Sequence, residues 1–431
     1  MSITPSASSA PGKVFLAGGY LVLDKNYSAL VFALSARVHA VSAAAGKENT
    51  ITIRSPQFSG AEWSYNITLP SPGSDSGVTV TATEGAKNAF IETTIRYVIS
   101  YLSIPSDSVL PGAEITIYAD NDYYSQPSPD VPRFNALNVP ITSAHKTGLG
   151  SSAALTTALT ACLLSTFSPI AASETTIHNL AQAAHCTAQG KVGSGFDVAA
   201  AVFGSCVYHR FSPPILEAVG DAGSAGFATR LRECVDSTWD FTIEKTSVPP
   251  GLRLLMGDVD CGSSTPGMVR KVLTWRKENA EEAKALWDGL EDLNKGLRDL
   301  LADARKRAEI EPEDVTLLLN IKSQLEKIRV GIRAMGEAAG VPIEPPAQTK
   351  LLDAATKATK GVLGGVVPGA GGYDAVVFLM ADREKTVESL RRFLNKYQFE
   401  GEGEGKGTVE VLGTREEHEG VRQEDVGSYG V

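Results

Sequence analysis

Long apolar runs are missing from this chain. No stretch reaches the roughly 20 residues that cross a bilayer as a helix, and no basic-then-apolar secretory signal opens it. The expectation is a cytoplasmic protein with no membrane partner. Cysteine is scarce: five in 431 residues, odd in number and never spaced C-x-x-C. That suggests neither a disulfide framework nor a zinc site and fits reduced thiols best. Positive charge is short as well, 40 Lys and Arg against 50 Asp and Glu, for a formal charge of −10. Nucleic acid and anionic membranes need a basic face and are not expected partners. A few well-placed lysines would still make a local pocket for a small anion. With 43% hydrophobic and 7% aromatic residues, the composition is that of an ordinary globular protein, long enough for two substantial domains.

Glycine, in contrast, clusters. Lys146-Thr147-Gly148-Leu149-Gly150-Ser151-Ser152-Ala153-Ala154-Leu155 runs into an Ala/Leu/Thr-rich helical stretch. Two glycines allow a tight turn and a close backbone approach, and the serines stand where a helix begins. A helix start suits an anion, and hydroxyls suit a hard cation such as Mg²⁺. Taken alone, the stretch fits two readings: a nucleotide-phosphate loop, or a Gly-rich turn into a Ser-capped core helix. Gly12-Lys13 with Gly18-Gly19 flank a short buried strand, 14–17, where a lysine is unusual. Lys191-Val192-Gly193-Ser194-Gly195-Phe196-Asp197 is another glycine turn feeding a helix, with an acid at its start. A further glycine loop spans 369–372. None fits the Walker or dinucleotide patterns.

Elsewhere, alternation predicts strands over 31–43, 50–54, 78–83, 114–118, 205–211, 251–258 and 375–379. Helical spacing predicts helices over 88–102, 174–189, 349–359 and 384–397. Residues 268–338 read as three helical stretches broken near Gly289 and at Glu311-Pro312. Thr265-Pro266 is a helix start with Ser263 and Ser264 before it and Arg270-Lys271 one turn on, which fits either a second anion site or an ordinary capped helix with solvated basic residues. Residues 120–135 read as a long loop. Residues 1–10 read as frayed, 401–407 as linker, and the charged tail as disordered after a short strand.

Three ordered motifs resemble those of the GHMP kinase superfamily: Pro11-Gly12-Lys13 with Gly18-Gly19-Tyr20, Gly148 to Ala154, and Pro368-Gly369-Ala370-Gly371-Gly372-Tyr373-Asp374. Within it the likeness is to the fungal phosphomevalonate kinase family. That match rests on Ala17 to Asp24, Lys146 to Gly150, Lys191 to Asp197 and Ile343-Glu344-Pro345-Pro346-Ala347-Gln348-Thr349. Mevalonate kinases usually carry Glu-His where this chain has Gly19-Tyr20.

The resemblance implies an α+β, two-domain GHMP kinase fold. An ATP-binding, ribosomal-protein-S5-like domain would cover 1–212, and a ferredoxin-like domain 213–431. It implies ATP and Mg²⁺, with Lys146, Thr147, Gly148, Leu149, Gly150, Ser151, Ser152 and Ala153 at the nucleotide and Ser152 on the metal. Asp197 and Lys13 match its catalytic positions. Candidate acceptor residues are Lys13, Gly19, Tyr20, Lys146, Lys191, Ser194, Ser263, Ser264, Thr265, Arg270, Gly371 and Gly372. A phosphate-monoester acceptor has a second pKa of roughly 6 and is already ionised near neutrality, so cations matter more than a strong base. An alcohol kinase of the same superfamily, or a non-catalytic sensor on this fold, are the rival readings. Both monomer and homodimer fit.

Overall fold

The computed structural model describes residues 3–126, 128, 130–259, 265–311, 314–373, 375–399 and 409–430, with backbone alone at 265 and 266. Two sheets organise it. In the larger, seven of nine strands run in the order Arg422–Glu424, Ser6–Ala17, Ala29–Ala45, Gly112–Ala119, Thr50–Arg54, Glu62–Thr68 and Thr79–Glu84. Cys206–His209 pairs with the start of Ala29–Ala45 and is followed outward by Thr242–Lys245. The smaller sheet is antiparallel: Val362–Val366, Ala375–Ala381, Leu252–Val259 and Val409–Val411. Helices pack on each, the α+β arrangement with two domains that the motifs implied. The larger sheet draws strands from both sides of residue 212.

The helix Ser151–Phe167 lies against the two longest strands of the larger sheet and buries most of its length, since alanines and leucines line nearly all its faces. Glu174–Gln189 packs beside it. Ser173 caps that helix, accepting from Thr176 N at 3.0 Å, and Gly190 ends it at φ 68°. Two long helices, Ala280–Arg305 and Val315–Ala339, pair along the side of the sheet. Glu291 ties the first of them to the sheet by accepting from Ser28 N at 3.1 Å and Ser28 Oγ at 2.7 Å.

Several expectations are corrected. Gly289 does not break its helix; the break falls at Asn279, and Gly289 sits where an added Cβ would meet nothing. The helix expected from 349 starts at Pro346, whose missing N–H costs nothing in a first turn. Strands Glu62–Thr68, Thr242–Lys245 and Val362–Val366 were not expected. The largest corrections are at the ends. Residues 6–10 are buried strand, and the tail is ordered. Each explains the other, because Arg422–Glu424 covers the free edge of Ser6–Ala17 in the register Ser8↔Gln423. The buried guanidinium of Arg37 joins them, donating to Ser9 O at 3.1 Å and Gly420 O at 2.5 Å.

Candidate active site

Gly148 and Gly150 both take left-handed backbone, φ 77° and 82°, which turns the chain into Ser151–Phe167. The residue before the helix is Gly150, and no side chain caps it. This overturns the Ser-capped alternative: Ser151 and Ser152 are the first helical residues, and their N–H groups and that of Ala153 have no acceptor within the helix. An uncapped start with two hydroxyls is a ready anion cradle. Its approach is fixed from both sides. Lys13 N donates to Leu149 O at 2.9 Å, and an added Cβ on Gly12 would sit 2.9 Å from that same oxygen. Thr147 donates from N to Tyr123 O at 3.2 Å and from Oγ1 to Asp122 O at 2.5 Å. Lys146 is exposed at the loop entrance.

Lys13 bends over the loop, its Nζ donating to Gly148 O at 3.2 Å. It also lies 5.8 Å from the Phe196 ring. Burial pulls its pKa below the ordinary lysine value, while the field of Asp197 opposes the fall. Asp197 stands in the first turn of Phe196–Phe203 and accepts from Val198 N at 3.0 Å. His185 joins the two walls: its Nε2 is 3.1 Å from Ser152 Oγ, 3.3 Å from Gln189 Nε2 and 4.0 Å from Asp197 Oδ2. Sequence reasoning missed His185. The signal was there: Gln182, His185 and Gln189 fall at i, i+3 and i+7 and so share one face of their helix.

Beyond Asp197 opens a cleft of about 370 Å³ that reaches Tyr20, Lys191, Ser194, Arg210 and Ala370. The first and third glycine motifs meet on its wall. Tyr20, held at φ 65°, donates from its hydroxyl to Ala370 O at 2.6 Å, and burial raises its pKa. Gly371 passes so close to Ile343 that an added Cβ would lie 2.2 Å from the Ile343 oxygen, which accepts from Gly372 N at 2.9 Å. A Cβ on Gly19 would come within 3.1 Å of Gly369 O. Behind this loop Glu344 is buried under Arg329 and Arg333, both at 2.7 Å. Ser194 offers its carbonyl to Tyr208 Oη at 2.9 Å. Lys191 is exposed on the cleft rim.

The other candidates are less central. Arg270 is exposed on Thr265–Glu278, whose cleft-lining residues are Val269 and Leu273. Ser263, Ser264, Asp374 and the Thr265 side chain lie outside the described residues. Arg210, at the end of Cys206–His209, was not expected at all.

The chain matches the models for the GHMP kinases N terminal domain over residues 129–205 and the GHMP kinases C terminal domain over 317–399. It is 44% identical to the phosphomevalonate kinase of Aspergillus fumigatus, covering 98% of each chain. With that of Gibberella zeae it shares 47%, covering 98% of this chain and 97% of the other. The Streptococcus pneumoniae phosphomevalonate kinase, solved with phosphomevalonate and AMPPNP, shares the fold at a TM-score of 0.63 and 17% identity, over 90% of this chain and 95% of that one. Identity of this order along nearly the whole length is conclusive: the chain belongs to the phosphomevalonate kinase family of the GHMP kinases.

Proposed function

We infer that this protein transfers the γ-phosphoryl group of ATP to (R)-5-phosphomevalonate, giving 5-diphosphomevalonate and ADP on the mevalonate route to isoprenoids and sterols. One observation carries the reading: the uncapped helix start at Ser151, Lys13 and Asp197 converge at the mouth of a cleft sized for a small acceptor. ATP would lay its phosphates on the Gly148–Ala153 cradle, where backbone N–H groups and Lys13 offset the charge that develops in transfer. The acceptor's phosphate oxygen attacks the γ-phosphorus, and the bond to the bridging oxygen breaks, the electron pair leaving with ADP. Because that oxygen is already ionised, Asp197 acts chiefly by keeping Lys13 charged and aimed. Tyr20 and the third loop fix the distance between acceptor and donor.

The residues also suit Mg²⁺. Among the described residues no group of three metal-binding side chains converges, and a hydroxyl with one nearby carboxylate is a small donor set. That matches an ion bound mainly through substrate phosphates, with Ser152 as protein ligand. When bound, Mg²⁺ would neutralise β- and γ-phosphate charge. The four described cysteines are unpaired and buried, and no helix of the described residues is long and apolar enough to cross a membrane. The unpaired thiols fit a reducing compartment, and we place the protein in the cytoplasm.

Coupled ADP release with phosphomevalonate and mevalonate side by side tests the function. Turnover with phosphomevalonate is expected. Turnover with mevalonate alone overturns the substrate, and no ADP release with either revives the sensor reading.

A further inference from the structure

Arg210 lines the cleft with 8% of its surface exposed. Its Nη1 donates to Leu23 O at 2.5 Å and its Nη2 to Gly193 O at 3.0 Å, while Nε has no acceptor among the described residues. Neither of those partners carries a charge. Asp24 reaches Arg210 only through its field, because its carboxylate is bound by Arg276. A guanidinium has five N–H donors, so each terminal nitrogen keeps one in hand. Burying an unpaired cation is costly, and clamping two carbonyls does not require a charge. An arginine kept in this state beside a substrate cleft is suited to an anion that arrives with the ligand. Lys191, two residues before the Gly193 carbonyl that Arg210 holds, adds a second cation to the same cleft.

We propose that Arg210, with Lys191, binds the phosphate that the acceptor brings, and so makes the site prefer a phosphorylated acceptor over the free alcohol. This rests on the function inferred above. Mevalonate and phosphomevalonate share a carboxylate and differ by the phosphate, so the two compounds separate the groups Arg210 would hold. A planar fork matches a phosphate with two parallel bonds, which an ammonium cannot supply.

The test compares wild type, Arg210→Met, Arg210→Lys and Lys191→Met by coupled ADP release, with mevalonate added as a competitor. Wild type must first release ADP with phosphomevalonate; if it does not, the functional reading fails before any variant is compared. Arg210→Met should raise the KM for phosphomevalonate roughly ten- to a hundred-fold, the loss expected for a charged contact. The KM for ATP and the inhibition constant of mevalonate should stay within about twofold. Arg210→Lys should recover part of the loss. A parallel weakening of mevalonate would assign Arg210 to the carboxylate. A fall in kcat with unchanged KM would make it a backbone clamp. Either result overturns the proposal. Should Arg210→Met not fold, Arg210→Lys and the exposed Lys191→Met decide: each should weaken phosphomevalonate selectively, and equal weakening of both compounds refutes the assignment.

Discussion

Replacing Asp197 with Asn separates two ways of running this reaction. The substitution is mild for the fold. An amide oxygen can still accept from Val198 N, now 3.0 Å away, and the 4.0 Å approach to His185 is too long to be a hydrogen bond. What disappears is a negative charge in a helix's first turn, worth about 0.3–1 kcal/mol. The melting temperature should therefore barely move. If Asp197 were a general base, turnover would fall by about 10²–10⁴ at every pH. If the acceptor oxygen is already ionised, the loss should be about ten- to a hundredfold, the worth of one charged contact. A second signature follows from Lys13. Its pKa is lowered by burial and supported by Asp197. In the proposed mechanism Lys13 acts as a cation, so activity should be lost as pH rises through its pKa. Removing the carboxylate lowers that pKa further, and the basic limb of the kcat/KM profile for ATP must shift to lower pH. A thousandfold loss with intact binding and an unmoved basic limb would refute the orienting role.

Two further perturbations test the scaffold. Gly371→Ala places a Cβ 2.2 Å from the Ile343 oxygen at φ 82°, whereas Gly369→Ala, at φ 71°, meets nothing within 4 Å. The first should cost about 2–4 kcal/mol in urea unfolding and most of the turnover, the second only about 1–2 kcal/mol; equal costs would show that strain, not packing, rules this loop. Removing residues 409–431 uncovers the edge of Ser6–Ala17 and strips Arg37 of Gly420 O and Glu417. It should destabilise by on the order of 3–5 kcal/mol. Because Asp122 also loses Gly413 N and Thr414 N while its carbonyl holds Thr147, the KM for ATP should rise. An unchanged melting temperature would show that the tail is dispensable.

Residue patterns revealed the parts of the site whose chemistry is local. A phosphate cradle needs glycines and a helix start within a few residues, so spacing made Gly148 to Ala153 a candidate, as it did Lys13 and Asp197 beside their own glycine turns, while the family resemblance supplied the roles expected of them. What spacing could not decide was whether the serines capped the helix. That depends on which atom their hydroxyls reach, and Ser152 reaches His185, 33 positions away. Arg210 was hidden for the same reason. Its meaning lies in having no carboxylate partner among the described residues, a property of the folded cleft and of no sequence window. The chain ends misled for a different reason. Composition reports how willingly a segment is solvated, and Ser/Ala or Glu/Arg-rich ends are willing. It is silent about a partner segment at the far end of the chain: Ser8 and Gln423, 415 positions apart, bond side chain to side chain at 3.3 Å. Each end is polar because its side chains bond the other, so solubility and pairing leave the same residues behind. The same ambiguity applies to the stripe Gln182, His185 and Gln189. Polar residues along one helix face signal either solvent or a site, and only the cleft above them decides between the two.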